Sequence, residues 1–362
     1  MRNTRPAESL YFSTSMPPAL ACLNLPDSEA YLERIGLPAS LAADPPSLEL
    51  LSRILMAHMC TIPYDSSAIH VPREAWKADE AREIRWREGP GMELGRGNFE
   101  RVVLRRQGGY CFALNQLAAS FLRGELRFGF RVSEVGARVF LHRGKDPKEH
   151  GYWWSQTTHM ALIVDWDGGE GRWFADFGFG GGGCPIPIPL RDGATSLSLS
   201  KSESFLLKEE PMPLGELVST THDAYPGWTL YRRVVDAGVV IRSAEEAHRI
   251  KGHWTPCIHL TLATIAPEDV TMGDFFNSRH EQAPWANIFL TSLLLPNGAR
   301  RSLCHGIAAI EAGAPQDGRK YAKVYTKEGI KGEEYDVEWV PYNTQAMRRV
   351  LQRDFGFLLD AP

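Results

Sequence analysis

Cys111 follows a pair of glycines and begins an apolar run with helical spacing that continues to Leu126. A cysteine in the first turn of a helix lies at the positive end of the helix dipole, near unpaired N–H groups that favour the thiolate. Gly108 and Gly109 let the backbone turn sharply and approach a substrate without a Cβ in the way. The same residues also fit a plain turn before a small buried cysteine. A nucleophile is therefore indicated only if a base and its partner occur elsewhere.

His159 and Asp176 are candidates for that base and its partner. The segments Thr158–Asp165 and Gly171–Phe177 are typical of strands, and the glycine-rich residues between them predict a tight turn. An antiparallel hairpin would bring His159, early on one strand, close to Asp176, late on the other. Each residue also has a structural interpretation, because a strand histidine can be hydrogen-bonded in the core and an aspartate before glycine can form a turn.

A cysteine, a histidine and an aspartate in contact can transfer acyl groups. The imidazole takes the proton of the thiol, and the carboxylate fixes the ring tautomer and stabilises the imidazolium. The thiolate attacks an activated acyl group, such as a thioester, and a second substrate then releases that group from sulfur. Cys111, His159 and Asp176 therefore predict ping-pong acyl transfer through an S-acyl-cysteine.

Composition and charge exclude several other classes of function. The 362 residues carry a formal net charge of −4, without the basic excess of nucleic-acid-binding proteins. No apolar run approaches the roughly 20 residues of a membrane span, and the N-terminus lacks the core of a signal peptide. The six cysteines occur singly, without paired metal-ligand spacing, which indicates a reducing compartment. We therefore expect a cytoplasmic protein that binds neither nucleic acid, membrane nor metal.

The elements before the hairpin predict a helical domain. Capping serines and apolar residues at helical spacing predict helices over Ser28–Gly36 and Ser47–Met59, which pack with the helix that begins at Cys111. Residues 1–27 are typical of an irregular extension. Residues 73–100, with charges of alternating sign, predict a solvated connection.

From Phe128 onward the sequence changes to strand patterns. These patterns predict an antiparallel, barrel-like middle domain. In addition to the hairpin, its predicted strands are Phe130–Phe140, Ser204–Lys208, Trp228–Asp236 and Ile258–Ile265. Further strands and a final helix over Thr344–Phe355 predict an α+β third domain. The predicted domains are residues 1–128, 129–265 and 266–362, and the predicted fold class is α+β multidomain.

Asp176 is followed by a short motif and then a run of glycines, Gly180–Gly183. The run lacks the lysine of a phosphate-binding P-loop and the strand-to-helix context of a dinucleotide-binding fingerprint. It fits a loop that wraps a ligand with bare backbone amides and, equally, a flexible loop.

Together these motifs resemble the arylamine N-acetyltransferase family. The similarity in order, local sequence and approximate spacing extends over roughly residues 28–360. It rests on the cysteine motif Arg106–Asn115, on Thr158-His159, on Asp176 with its glycines, and on the segments Tyr31–Gly36, Ile62–Tyr64, Gly227–Leu230, Asp274–Asn277 and Phe355–Leu359. The length of the chain and the loop at 142–153 resemble the fungal branch of the family.

The resemblance implies both a fold and a reaction. The implied fold has a helical domain with the nucleophilic cysteine, an antiparallel β-barrel with the histidine and aspartate, and an α/β lid around a cysteine-protease- or transglutaminase-like core. The implied reaction transfers an acetyl group, or a malonyl or propionyl group, from a coenzyme A thioester to an aromatic amine or hydrazine. The thioester is a co-substrate, no cofactor is bound, and Cys111, His159 and Asp176 are the catalytic residues.

Three further residues match binding positions of the family. Tyr64 and Phe179 match aromatic positions of the substrate pocket, and Ser278 lies in the segment that contacts coenzyme A in relatives. Tyr64 also fits an ordinary core position, and Ser278 a surface helix cap. The family's usual glutamate two residues after the cysteine is Ala113 here, so Arg106 is predicted to find another carboxylate or to reach solvent.

Two other functions remain open from the sequence. A cysteine amidohydrolase or transglutaminase-like enzyme would use the same three residues with another acyl donor and without coenzyme A. Ala113 and the altered lid segment Ser278–Glu281, where the family has a Ser-Thr-x-Pro-like stretch, also fit a catalytically impaired member that acts as a binding protein. The need for a thioester and the reactivity of Cys111 distinguish these alternatives.

Overall fold

The computed structural model describes residues 22–78, 80–124, 128–214 and 226–360. Most of the predicted N-terminal extension, and the end of the run predicted to reach Leu126, lie outside the described residues. Within them the chain forms a group of helices, an eight-stranded sheet and a five-stranded sheet. The predicted α+β multidomain fold is therefore confirmed.

The helices are short and lie mostly in the first third of the chain. They are α1 (Leu25–Arg34), α2 (Leu48–Thr61), α3 (Ser67–His70), α4 (Arg73–Lys77), α5 (Gly95–Phe99), α6 (Cys111–Leu122), α7 (Pro147–His150), α8 (Ala244–Arg249), α9 (Pro267–Arg279), α10 (Ala308–Glu311) and α11 (Thr344–Phe355). A π-helical turn spans Glu100–Leu104, and short 3₁₀ turns span Ala39–Ala43, Gly180–Gly182 and Pro284–Ala286.

The strands pair antiparallel throughout both sheets. They are β1 (Tyr64–Asp65), β2 (Phe130–Phe140), β3 (Trp154–Trp166), β4 (Trp173–Ala175), β5 (Ile188–Pro189), β6 (Ala194–Leu197), β7 (Ser204–Glu209), β8 (Trp228–Val234), β9 (His253–Thr264), β10 (Phe289–Leu294), β11 (Ala299–His305), β12 (Tyr321–Glu328) and β13 (Glu334–Pro341).

Local capping decides where the first helices begin. The helix predicted to start at Ser28 begins earlier, at Leu25, because the side chain of Asn24 accepts a hydrogen bond from the N–H of Asp27 at 2.8 Å. Ser47 caps α2 as predicted, accepting from the N–H of Leu50 at 3.1 Å. Both helices share one buried apolar core with α6, which confirms the helical group.

The larger sheet closes almost completely into a barrel. Its strand order is β5-β4-β3-β2-β9-β8-β7-β6, and the edge strands β5 and β6 contact each other. Every strand predicted for the middle domain occurs, although β9 begins earlier than predicted, at His253. The interior is filled by side chains such as Phe174, Phe205, Leu230 and Ile258, as expected for a small barrel.

The smaller sheet, with order β1-β10-β11-β12-β13, combines distant parts of the chain. Its first strand, β1, comes from the range 1–128 and pairs with β10, placing Tyr64 opposite Ser292. The connection predicted over residues 73–100 is not simply solvated, because Trp76 and Ile84 are buried in the core of this sheet and α11. Isolated apolar residues among charges show no helical period, so this packing was missed. The three domain ranges stay predictions, and the pairing of β1 with β10 joins the first range to the third.

A separate apolar cluster surrounds the start of α6, where helices, barrel and smaller sheet meet. It contains Tyr110 and Phe112 beside Cys111, Met160 from β3 and Val270 from α9. The three parts of the fold therefore converge on Cys111. No helix within the described ranges has the length and apolar character needed to cross a membrane.

Candidate active site

Cys111, His159 and Asp176 meet where α6 packs against β3, just after the end of β4. His159 Nε2 lies 2.7 Å from Asp176 Oδ2, and both side chains are almost fully buried. This contact leaves Nδ1 as the ring nitrogen available to the thiol of Cys111, which interacts with the ring. The predicted hairpin is confirmed, because β3 and β4 pair antiparallel with Leu162 opposite Ala175.

The environment of His159 stabilises a positive charge on its ring. Burial alone disfavours the imidazolium, but the charges of Asp176 and Cys111 and their hydrogen bonds outweigh burial and raise the pKa of His159 to about 10. The ring is therefore protonated near neutral pH. Such an imidazolium, placed between a carboxylate and a thiol, favours a thiolate–imidazolium pair.

The backbone places the thiol at the very start of α6. Tyr110 is the extended N-cap residue and contributes no side-chain cap, so the first-turn N–H groups of α6 have no such partner. The positive end of the helix dipole thus acts on the thiol of Cys111, as the sequence predicts. The sulfur lies 3.6 Å from the carbonyl oxygen of Thr158, the residue before His159.

The glycines of the site permit close packing. A Cβ on Gly108 would lie 2.2 Å from the carbonyl oxygen of Pro63, and one on Gly178 would lie 2.7 Å from Cys111 Cα. Neither Gly108 nor Gly109 has a positive φ, and the left-handed residue of this stretch is Arg106, at φ 51. The predicted need for glycine before Cys111 is therefore explained by backbone contact with β1.

Asn115 is a site residue that the sequence analysis missed. Its Nδ2 donates to Asp176 Oδ1 at 3.0 Å, and its Oδ1 accepts from the N–H of Phe177 at 2.9 Å. The N–H of Gly178 donates to the same aspartate oxygen at 2.9 Å. Both carboxylate oxygens of Asp176 are therefore held in place, Oδ1 by Asn115 and Gly178 and Oδ2 by His159. The available signal was the spacing, since Asn115 lies one helical turn after Cys111 and on the same face.

Helix α9 is anchored beside the three residues by two polar contacts. Asn277 Nδ2 donates to the carbonyl oxygen of Thr158 at 2.9 Å. The hydroxyl of Tyr110 donates to the carboxylate of Asp274. Burial raises the pKa of Asp274 to about 6, while the hydrogen bond from Tyr110 opposes that rise. These contacts hold α9 against the residues that precede both Cys111 and His159.

The thiol and the imidazole line a cavity of about 360 Å³. The rings of Phe179 and His159 pack edge to face, with centroids 5.3 Å apart. Tyr64 packs on Trp285 with centroids 5.0 Å apart. The structure therefore brings the two predicted pocket residues, Tyr64 and Phe179, to the same cavity as Cys111.

The glycine run forms part of the wall of this cavity, whereas Ser278 does not. Gly181 and Gly182 line the cavity, and Gly180, at φ 70, packs against the ring of Tyr64. The hydroxyl of Ser278 donates to the carbonyl oxygen of Asp274 at 2.9 Å, inside α9, and its side chain is buried outside the cavity. The contact of Ser278 with coenzyme A stays a prediction, and the position of this side chain does not support it.

The alanine at position 113 does not leave Arg106 as a buried charge. Arg106 is half-exposed and lies 4.0 Å from Glu33, so it reaches solvent as predicted. A deeply buried cation of this region is Arg101, in the π-helical turn, whose Nη2 lies 2.7 Å from Asp65 Oδ2. Sequence analysis did not identify this pair.

Breaking the pair of Arg101 and Asp65 is expected to destabilise the fold. Arg101→Met would leave a fully buried carboxylate without its cation, which costs about 3–5 kcal/mol of unfolding free energy. Urea denaturation measures the change. The matched control is Arg242→Met, which removes an exposed ion pair with Glu246 and should cost less than about 1 kcal/mol. Equal losses for the two variants would contradict the prediction.

The described residues hold no cluster of three or more histidine, cysteine, aspartate or glutamate side chains that could bind a metal ion. All six cysteines are free thiols. Of the six, Cys111 is the one in contact with an imidazole in the site described above.

Comparisons with known proteins match this architecture. A family model described as N-acetyltransferase matches residues 47–331. The chain is 26% identical over 259 residues to the arylamine N-acetyltransferase / N-hydroxyarylamine O-acetyltransferase of Salmonella typhimurium, covering 71% of this chain and 70% of that protein. It is 27% identical over 244 residues to the N-malonyltransferase FDB2 of Gibberella moniliformis, covering 65% of this chain and 60% of that protein.

Solved structures share the fold. The arylamine N-acetyltransferase from Salmonella typhimurium superimposes with a TM-score of 0.61 and 22% identity, covering 91% of both chains. The Mycobacterium marinum arylamine N-acetyltransferase in complex with CoA superimposes with a TM-score of 0.61 and 20% identity, covering 91% of this chain and 93% of that one. Because the family model spans most of the sequence, the chain belongs to the N-acetyltransferase family and is an acyltransferase.

Proposed function

We propose that this protein transfers a short acyl group from a coenzyme A thioester to the nitrogen of an aromatic amine or hydrazine, through an S-acyl intermediate on Cys111. The observation that carries the proposal is the geometry of His159, whose Nε2 lies 2.7 Å from Asp176 Oδ2 and whose ring shares the wall of one cavity with the Cys111 thiol. Relatives named arylamine N-acetyltransferase and N-malonyltransferase support the substrate classes.

In the first half-reaction the Cys111 thiolate attacks the carbonyl carbon of the thioester. The tetrahedral intermediate collapses, the bond to the coenzyme A sulfur breaks, and that sulfur leaves with the electron pair. The imidazolium of His159 gives its proton to the leaving thiolate, so free coenzyme A departs as a thiol. The products on the protein are an S-acyl-cysteine and a neutral imidazole.

In the second half-reaction the neutral imidazole acts as a general base. The amine nitrogen attacks the acyl carbon, His159 accepts its proton, and the carbon–sulfur bond breaks to release the amide and restore the thiolate–imidazolium pair. Asp176 stabilises the imidazolium at the start and end of the cycle. Tyr64 and Phe179 supply flat apolar walls that suit an aromatic ring.

The assembled site argues against a catalytically impaired binding protein. Ala113 is buried in the apolar cluster around Cys111, and its carbonyl oxygen accepts from Asn98 Nδ2 at 2.6 Å. The alanine therefore does not disturb the contacts of His159 and Asp176. The amidohydrolase alternative uses the same residues, and only the acyl donor separates it from acyl transfer.

The proposed function is tested by mass spectrometry of the intact protein mixed with acetyl-CoA and no amine. We expect one added acetyl group and one equivalent of free coenzyme A, and no adduct on the Cys111→Ala variant. An aromatic amine should then remove the adduct and yield the amide. Absence of an adduct with acetyl-, propionyl- and malonyl-CoA would refute the proposal, and amide hydrolysis without a thioester would favour the amidohydrolase.

A further inference from the structure

The active-site cavity is strongly positive although the whole chain carries a net charge of −4. Among the described residues, its lining includes four basic side chains in addition to His159, and no aspartate or glutamate. The four are Arg143, Arg232, Arg300 and Lys327. A low-dielectric cleft lined by one sign of charge concentrates ligands of the opposite sign. The cavity therefore suits an anionic substrate.

Two of these cavity-lining cations are already paired with one carboxylate. Arg300 makes two hydrogen bonds of 2.9 Å with the two carboxylate oxygens of Glu203, and Arg232 donates to the same carboxylate. All three side chains are at least nine-tenths buried. This cluster joins β8 to β11, and Glu203 compensates part of its positive charge.

Arg143 differs because no carboxylate in the described part of the chain pairs with it. Its guanidinium lies over the ring of Trp285, 5.0 Å from the centroid. A guanidinium stacked on an indole is held in one plane while its N–H donors stay free. Since Arg143 lies in the loop after β2 and is exposed within the cavity, these donors are open to a ligand.

The stack continues from Arg143 toward the nucleophile. Trp285 packs on Tyr64 at 5.0 Å, and the phenol of Tyr64 is within electrostatic range of both Arg143 and Cys111. The guanidinium of Arg143 and the thiol of Cys111 therefore line the same cavity as the two rings between them in this chain of contacts. The phosphates of coenzyme A lie at the far end of the pantetheine arm from the thioester, whereas a carboxylate on an acyl group or on an aromatic amine lies close to it.

We propose that Arg143 binds a carboxylate carried by one of the two substrates, and so selects a dicarboxylic acyl donor or a carboxylated aromatic amine over its neutral counterpart. This inference rests on the proposed function. The planar fork of a guanidinium matches a carboxylate with two parallel hydrogen bonds. Malonyl transfer by one relative shows that an acyl group of this chemistry occurs among similar proteins.

The test compares Arg143→Gln and Arg143→Lys with the original chain in two arms. The donor arm measures single-turnover acylation of Cys111 by malonyl-CoA and by acetyl-CoA. The acceptor arm measures release of the acetyl group from Cys111 by 4-aminobenzoate and by aniline. We expect Arg143→Gln to lower the ratio of charged to neutral rates about tenfold in one arm, which identifies the substrate that carries the carboxylate, and Arg143→Lys to retain part of that ratio.

The matched control is Lys145→Gln, which removes a positive charge from the same loop at an exposed position outside the cavity. It should leave both ratios within about twofold of the original values, since exposed charges are screened. The inference is overturned if Arg143→Gln changes neither ratio. It is likewise overturned if malonyl-CoA and acetyl-CoA acylation slow equally while the acceptor ratio stays unchanged, because that result would place Arg143 on the coenzyme A phosphates. Failure of the proposed function is distinct, since the original chain would then form no adduct.

Discussion

Asp176→Asn is expected to lower kcat/KM for acyl transfer by about 10³- to 10⁴-fold. Asparagine can keep the contacts that Oδ1 receives from Asn115 and Gly178, so the geometry should persist. The oxygen opposite His159 Nε2 would become an N–H donor, however. A neutral ring would then accept at Nε2 and carry its proton on Nδ1, the nitrogen that must take a proton from the thiol.

The measurement is stopped-flow acylation by acetyl-CoA, followed through coenzyme A release. The matched control is Asp167→Asn, on the turn of the same hairpin, where the carboxylate is 94% exposed and pairs only with a surface arginine among the described residues. That variant should keep its rate within about twofold. A loss below tenfold for Asp176→Asn would show that the aspartate does not control the state of the imidazole.

Alkylation of Cys111 at pH 6 is expected to be about 100-fold faster in the original chain than in His159→Gln. The pKa of His159 is raised to about 10 by Asp176 and Cys111 against the effect of burial, so the ring keeps its proton, and the thiolate its partner, from pH 6 to 9. The rate should therefore be nearly flat in that range. An ordinary cysteine, with a pKa near 8.5, gains about tenfold per pH unit below that value.

The direction of the pKa shift of His159 also determines how the stability of the fold depends on pH. Because the pKa of His159 in the folded state lies above its ordinary value of 6.5, the stabilisation is fully present below pH 6.5 and is lost as the pH rises through about 10. Melting temperatures of the original chain and of His159→Gln should therefore converge between those values. A difference that grows with pH would contradict the assignment.

Iodoacetamide labelling followed by mass spectrometry measures the alkylation rate, with Cys111→Ala as the baseline. Three other thiols should stay silent, because burial raises the pKa of each to about 12. They are Cys184, Cys257 and Cys304. A rate for Cys111 that rises tenfold per pH unit from pH 6, as for a free cysteine, would show that no ion pair forms.

The fold class and the three candidate catalytic residues could be predicted from the sequence because their signals are local. A cysteine at a helix start and a histidine and aspartate on one hairpin are each specified by a short segment. Gly108 was also identified from its local motif. Glycine is required at this position because a Cβ would collide with Pro63, and not because the backbone has a positive φ. Tyr64 and Phe179 were found through the family resemblance, and the structure places both on the cavity.

The remaining features depend on contacts between segments that are distant in sequence, and only the tertiary structure decided them. Asn115 fixes the aspartate because α6 packs on the hairpin, and Arg101 pairs with Asp65 because the π-helical turn faces β1. Arg143 lies in the loop after β2, Trp285 in the 3₁₀ turn before β10, and Tyr64 in β1. Their stack therefore joins three segments that are distant in sequence. Local sequence fixes the chemistry of a thiol, an imidazole and a carboxylate, whereas the charges and rings that face them are set by long-range packing.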